Sequence, residues 1–119
     1  MGERGSIDVF GAQESTRSVV VGEAKSEWGS LEETIRVLDV KQRLAPKITE
    51  DRFGFVPLRI AALLVFPEDR TARRIAQRYE ATLSSAFPAR NVAIRRWLRR
   101  PDGPLRGLWF LPNVQFRGL

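Results

Sequence analysis

Apolar residues near the start of the chain are concentrated in two short stretches bounded by polar and glycine residues, a pattern typical of paired β-strands. These stretches predict strands over residues 6–12 and 18–25. The polar segment 13–17 between them, Gln-Glu-Ser-Thr-Arg, predicts a hairpin turn. The chain is therefore expected to begin with an antiparallel pair of strands.

The register of this hairpin decides which side chains meet. If residues 14–17 form the loop, counting back along both strands places Asp8 directly opposite Glu23. Glu23 and Lys25 are two positions apart, so they share one face of the second strand, while Ala24 faces the other way. The hairpin is expected to bring Asp8, Glu23 and Lys25 together.

The rest of the chain alternates between helical and strand-like spacing of its apolar residues. Ser30 followed by Glu33 forms a capping box that begins a helix over residues 31–44, and Pro46 is expected to stop that helix. The later segments predict a loop over residues 47–57, a buried strand over 58–66 and a second helix over 67–87. They then predict a strand over 91–98, a turn over 101–104 and a last strand over 105–111. This order predicts an α/β fold with one mixed sheet and helices packed on it.

Composition narrows the classes of function. With 119 residues, 43% apolar and 29% charged, the chain predicts one globular domain over residues 1–119. The absence of cysteine and histidine excludes disulfides, thiol nucleophiles, Ser-His-Asp triads and metal sites built on those residues. No apolar run reaches the length of a membrane span and no hydrophobic signal region is present, so we expect a cytoplasmic protein without a membrane partner.

The charge balance favours an anionic partner. Twenty lysines and arginines against fourteen acidic residues give a net charge of +6, and arginine dominates the basic set. Arginine binds phosphate through a two-pronged guanidinium, which favours DNA, although a solvated surface and the codon bias of a GC-rich genome explain the excess equally well. The candidate phosphate contacts lie in two basic clusters, Arg95, Arg96, Arg99 and Arg100, and Arg73 and Arg74.

The set Asp8, Glu23 and Lys25 is where the sequence suggests chemistry. Two carboxylates this close repel each other unless a proton or cation lies between them. A hard divalent ion such as Mg2+ suits oxygen ligands, and a lysine beside it can orient a water or stabilise charge on a phosphate. A second interpretation stays open, in which Lys25 neutralises both carboxylates in a surface ion network.

An aspartate early in one strand, fifteen residues before a Glu-x-Lys that closes the next, resembles the PD-(D/E)XK nuclease superfamily. The resemblance implies a restriction-endonuclease-like mixed sheet with flanking helices and DNA hydrolysis that depends on Mg2+ or Mn2+. It implies that Asp8, Glu23 and the Ala24 carbonyl bind the ion, and that Lys25 positions the attacking water or stabilises the transition state. The superfamily places a helix before its first strand, and only seven residues precede Asp8, so that N-terminal helix is expected to be missing.

More narrowly, residues 38–46, 93–98 and 107–111 resemble the nuclease-like domain attached to some bacterial helix-turn-helix regulators. This resemblance implies an upstream helix-turn-helix domain and an alternative function, a non-catalytic DNA-binding or sensing domain of a transcription regulator. A plain nucleic-acid binder that uses its arginine clusters is a third alternative. The sequence leaves the oligomeric state open, a homodimer included.

Overall fold

The computed structural model describes residues 6–25 and 30–112. Its strands and helices, in chain order, are β1 Ser6–Gln13, β2 Ser18–Lys25, α1 Leu31–Phe53, β3 Arg59–Glu68, α2 Arg70–Arg78, α3 Glu80–Ala86, α4 Asn91–Arg99 and β4 Leu105–Pro112. The strands predicted over residues 6–12, 18–25, 58–66 and 105–111 are confirmed, with small differences at their ends. The predicted lack of an N-terminal helix concerns residues outside the described part of the chain.

The four described strands form one mixed sheet in the order β1-β2-β3-β4. β1 and β2 are antiparallel, whereas β2, β3 and β4 run parallel to one another. The hairpin has the predicted register, because residues 14–17 form the turn and Asp8 pairs with Glu23. The mixed sheet and its flanking helices confirm the predicted α/β class.

One face of the sheet is covered by α1, α2 and α3. The buried core of this layer joins residues of β2, β3 and β4 to residues of these helices and of the segment after α3. Its members are Val19, Val21, Ala62, Leu64, Phe66, Leu108, Phe110, Leu38, Ala45, Ala72, Leu83 and Phe87. Side chains alternate along a strand, so Glu23 and Lys25 lie on the same face as Val21, and Asp8 lies there too because it pairs with Glu23.

The opposite face carries α4 beside β4. Ile94 and Trp97 are the buried residues of this helix, and Ile94 belongs to one buried cluster with Ala24 of β2 and Leu63 and Val65 of β3. Gly107 of β4 allows the close approach, since a Cβ there would lie 2.7 Å from Ile94 Cδ1. The strand predicted over residues 91–98 is therefore wrong. Ile94 and Trp97 are three positions apart, which is helical spacing, and the prediction gave too much weight to the apolar content of this segment.

The first helix extends nine residues beyond its predicted end. Ser30 caps the N-terminus as predicted, and its Oγ accepts a hydrogen bond from the Glu33 N–H at 3.1 Å. The helix passes through Pro46 and ends at Phe53, where Gly54 takes the left-handed conformation with φ of 77°. The predicted loop over residues 47–57 is therefore confined to residues after Phe53.

Pro46 was expected to stop α1, and burial explains why it does not. A proline inside a helix removes one backbone N–H and strains the preceding turn. Ala45 and Thr49, on either side of it, are fully buried, because this part of α1 packs on the sheet. The tertiary packing of α1 therefore outweighs the local preference of proline.

The helix predicted over residues 67–87 occurs in two pieces. Asp69 caps α2, and its Oδ1 accepts a hydrogen bond from the Ala72 N–H at 2.7 Å. Tyr79, with φ of −108° and ψ of 29°, separates α2 from α3. The break lets Ala72 and Leu83 both reach the same core.

The outer edge of β4 is covered by the segment that joins α3 to α4. The Ala89 N–H donates to the Arg106 carbonyl, and the Leu108 N–H donates to the Ala89 carbonyl, both at 3.0 Å. The Asn91 side chain binds both the N–H and the carbonyl of Phe110 at 3.3 Å. These contacts satisfy backbone groups that would otherwise be open to pairing with another strand.

No described helix has the length and apolar content needed to cross a membrane.

Candidate functional site

The predicted set of Asp8, Glu23 and Lys25 lies on one face of the β1–β2 hairpin. Asp8 and Glu23 are direct cross-strand partners, so their Cβ atoms are about 4.5–5.5 Å apart. Lys25 follows Glu23 at roughly 6.6 Å along the strand, two residues at about 3.3 Å each. The hairpin therefore places all three residues where the sequence predicts them.

The two carboxylates differ in their exposure. The Glu23 side chain is 8% exposed and lies beneath α1, whereas the Asp8 side chain on the edge strand is 74% exposed. Lys25 is buried as well. One carboxylate is thus fixed by its surroundings while the other faces solvent, so the pair is accessible from the side of β1.

Lys41 of α1 completes the group, although its role was not predicted from the sequence. Its ammonium donates hydrogen bonds to Asp8 Oδ1 and, at 3.3 Å, to Glu23 Oε2. A buried carboxylate is costly unless it is paired, and Lys41 provides that pairing for Glu23. The cation expected between the two carboxylates is a side chain of the protein in this structure.

A signal for Lys41 exists in the sequence. Leu38 and Ala45 are buried sheet-facing residues of α1, and Lys41 lies three residues after the first and four before the second. A position with this spacing is on the inner side of the helix. A lysine there, on the helix that follows Glu-x-Lys, is a candidate partner for a strand carboxylate.

A cavity of about 250 Å3 adjoins the carboxylates between β1 and α1. Its walls combine apolar side chains with one acid and two cations. They are Asp8, Val9, Phe10, Val21, Lys41, Ile48 and Arg52. Phe10 also stacks on Phe53, with ring centroids 6.0 Å apart. The site is therefore continuous with a partly apolar groove that has positive charge on its helical wall.

The donor atoms fit a hard divalent ion. Carboxylate oxygens are the ligands Mg2+ prefers, and it commonly uses one or two of them and keeps several waters. A single atom, the Lys41 nitrogen, contacts oxygens of both Asp8 and Glu23, so the two carboxylates face one shared region. Within residues 6–25 and 30–112, no group of three or more acidic side chains forms a metal cluster. Further ligands would be water or backbone, for which the Ala24 carbonyl remains the predicted candidate.

The arginines predicted to contact phosphate do not surround this site. Arg95, Arg96 and Arg99 belong to α4, on the opposite face of the sheet and beside the opposite edge strand, and Arg100 follows them. These four residues are exposed, as is Arg74 of α2. The four arginines of α4 and its C-terminal end form a basic surface separate from the site, whereas Arg74 lies on the helix-covered face that α2 shares with α1.

Arg73 has a structural partner. Its guanidinium binds the Glu68 carboxylate through two hydrogen bonds and lies 3.8 Å from the centroid of the Phe110 ring. The hydrogen bonds from Arg73 lower the pKa of Glu68. Arg73 therefore fastens α2 to the ends of β3 and β4, and its predicted role as a phosphate contact stays a prediction.

Comparison with known proteins adds no assignment: no family model, curated protein or solved structure matches this chain.

Proposed function

We propose that this domain hydrolyses DNA phosphodiester bonds with Mg2+, or Mn2+, held by Asp8 and Glu23. The observation that carries the proposal is the direct pairing of Asp8 with Glu23, with Lys25 on the same face. The order hairpin, helix, parallel strand supports the resemblance to the PD-(D/E)XK superfamily, which implies this chemistry. DNA is the expected partner.

Each residue has a distinct role in this proposal. A bound divalent ion would stabilise charge on the scissile phosphate and favour ionisation of a water. Glu23, held beneath α1, provides the fixed carboxylate, and Asp8 provides the one that faces the substrate. Lys25 brings a buried ammonium to the same face, where it positions the attacking water or stabilises the charge of the transition state.

Plasmid nicking tests the proposal. The wild-type protein in Mg2+ is expected to convert supercoiled plasmid to open circles, and Asp8→Asn, Glu23→Gln and Lys25→Met are each expected to lower the rate at least about 100-fold. Glu14→Gln and Lys47→Met are matched controls, because Glu14 lies in the exposed turn and Lys47 on the outside of α1. Nicking that survives all three site substitutions would remove the assignment.

A specific observation favours a second function. Lys41 already forms ion pairs with both carboxylates, as in a site that serves only to hold the hairpin against α1. The domain would then be a non-catalytic DNA-binding or sensing domain of a transcription regulator. Calorimetry separates the two functions: no heat on titration with Mg2+ or Mn2+, together with no nicking, supports the non-catalytic domain.

A further inference from the structure

Lys41 occupies the position that a divalent ion would need. Mg2+ lies about 2.0–2.1 Å from its oxygen ligands, and the Lys41 nitrogen already contacts one oxygen of Asp8 and one of Glu23. Two cations cannot share that position. Binding of a metal ion by both carboxylates therefore requires the Lys41 ammonium to move away.

The net charge of the site determines what binds together with a metal ion. Asp8 and Glu23 carry two negative charges, and Lys25 and Lys41 carry two positive charges, so these four side chains together are neutral. A divalent ion adds two positive charges beside buried Glu23 and Lys25. Excess positive charge in a partly buried site is unfavourable unless an anion accompanies it. The metal ion and a phosphate are thus expected to bind more tightly together than separately.

We propose that Lys41 is an exchangeable counter-ion, which leaves the carboxylates when the divalent ion binds and then holds a substrate phosphate. This inference rests on the proposed function. The cavity between β1 and α1 provides the new position, because Lys41 lines it together with Arg52. The lysine side chain has a flexible four-carbon stem and a point charge, so its ammonium can move without movement of the helix.

The apolar wall of the same cavity suits the rest of a nucleotide. Phe10, Val21 and Ile48 line it beside the two cations. Aromatic side chains stack on the faces of bases without regard to sequence, and aliphatic neighbours extend that apolar surface. The cavity therefore offers contacts for a phosphate and for the adjoining nucleoside on the path to the carboxylates.

Metal binding in the absence of DNA tests the exchange. Calorimetric titration with Mn2+ is compared for the wild type, Lys41→Met and Lys41→Gln, with Lys47→Met as the control. Lys47 lies on the same helix, is 78% exposed and forms an ion pair with Asp51, one turn further along α1. Removal of Lys41 is expected to tighten Mn2+ binding by roughly tenfold or more, because a competing cation is removed, and Lys47→Met is expected to change nothing.

The outcomes distinguish the inference from the proposed function. If the wild type binds Mn2+ and neither Lys41 variant binds it more tightly, the exchange is wrong while the metal site stands. If no variant binds Mn2+, both are wrong. Because loss of Lys41 removes one of the two positive charges that balance Asp8 and Glu23, thermal melts with and without Mn2+ check that the variants fold, and Mn2+ is expected to raise their Tm more than that of the wild type.

The phosphate role has its own measurement, which does not depend on cleavage. Affinity for a short fluorescent DNA strand is measured with and without Ca2+ in the wild type and in Lys41→Met. Ca2+ is expected to tighten DNA binding by the wild type about tenfold, and by the variant no more than about threefold, because the variant lacks the released ammonium. Equal gains in both proteins would overturn the phosphate role of Lys41.

Discussion

At the scale of single residues, Arg106 joins β4 to two helices. Its guanidinium binds Asp39 at 2.9 Å and Gln42 at 2.5 Å on α1, and donates to the Ala86 carbonyl at the end of α3 at 2.9 Å. It also lies 4.8 Å from the centroid of the Phe87 ring. The contact with Gln42 holds that side chain of α1 against β4.

Replacement of Arg106 is expected to destabilise the fold. The side chain is 26% exposed, and Arg106→Met leaves the Ala86 carbonyl and the Gln42 amide without this donor. We expect the free energy of unfolding to fall by about 2–3 kcal/mol, the usual cost of losing hydrogen bonds to a charged group. Urea denaturation at pH 7 measures the change. Arg95→Met, at an exposed position of α4, is the control and is expected to stay within about 0.5 kcal/mol of the wild type; equal losses in the two variants would contradict this role of Arg106.

The ion pair of Glu68 with Arg73 predicts a pH dependence. Hydrogen bonds from Arg73 lower the pKa of Glu68, so the contribution of this pair is present above the ordinary glutamate pKa and is lost as the pH falls through the lowered value. The pair is partly exposed, which limits its contribution at pH 7 to about 0.5–1 kcal/mol. The free energy of unfolding of Glu68→Gln is therefore expected to be lower than that of the wild type at pH 7. This difference is expected to shrink as the pH is lowered through the Glu68 pKa, and urea denaturation at a series of pH values measures it. A difference that grows toward acid pH would contradict the assignment.

At the scale of elements, α1 shows where residue preferences at helix ends are insufficient to predict a helix. In an isolated segment, Pro46 favours the end of a helix, and the capping box at Ser30 favours its start. Only the start is confirmed, because capping depends on neighbours in the chain, whereas continuation past Pro46 depends on packing against the sheet. The true end is marked by Gly54, which was predicted to lie within a loop.

Gly54 offers a test of that helix end. Its φ of 77° is strained for any residue with a Cβ, and no atom lies within 4 Å of a Cβ built there, so Gly54→Ala isolates the backbone effect. We expect a loss of about 1 kcal/mol in the free energy of unfolding. Gly11→Ala is the matched control, because its Cβ also meets nothing within 4 Å and its φ is not positive. It is expected to be neutral or slightly stabilising. A loss as large in Gly11→Ala would show that backbone conformation is not the cause.

The candidate site was predictable to the extent that it depends on the hairpin. A two-residue alternation and a turn of known length fix which residues of β1 and β2 face each other, so the Asp8–Glu23 pair follows from counting. Lys41 could not be assigned in the same way, because its contact depends on how α1 packs across the sheet. α4 was mistaken for a strand for a related reason, since a short apolar segment does not distinguish the two structures until its neighbours are known.

At the scale of the whole molecule, the basic groups considered for DNA contact lie on two separate surfaces. Lys41 and Arg52 lie beside the carboxylates at the β1 edge, whereas the arginines of α4 lie by β4 on the other face. Two to three strand spacings of about 4.8 Å and the thickness of the sheet separate these surfaces. A stretch of DNA that enters the candidate site is therefore not expected to reach the α4 surface at the same time.

This separation predicts different effects on binding and on catalysis. Replacement of Arg95, Arg96, Arg99 and Arg100 by Gln lowers the net charge from +6 to +2, since four positive charges are removed. We expect weaker DNA binding at low salt. The slope of the logarithm of the binding constant against the logarithm of the salt concentration is expected to be shallower by about 0.9 for each duplex phosphate that the variant no longer neutralises.

The nicking rate of this four-arginine variant at saturating DNA is expected to be unchanged, since none of these residues adjoins Asp8 or Glu23. Arg52→Gln removes only one charge but lines the cavity at the site, so its rate at saturating DNA is expected to fall. A saturated rate that falls in the four-arginine variant and not in Arg52→Gln would place the reacting phosphate on the α4 surface and would refute the assignment of the site to the hairpin.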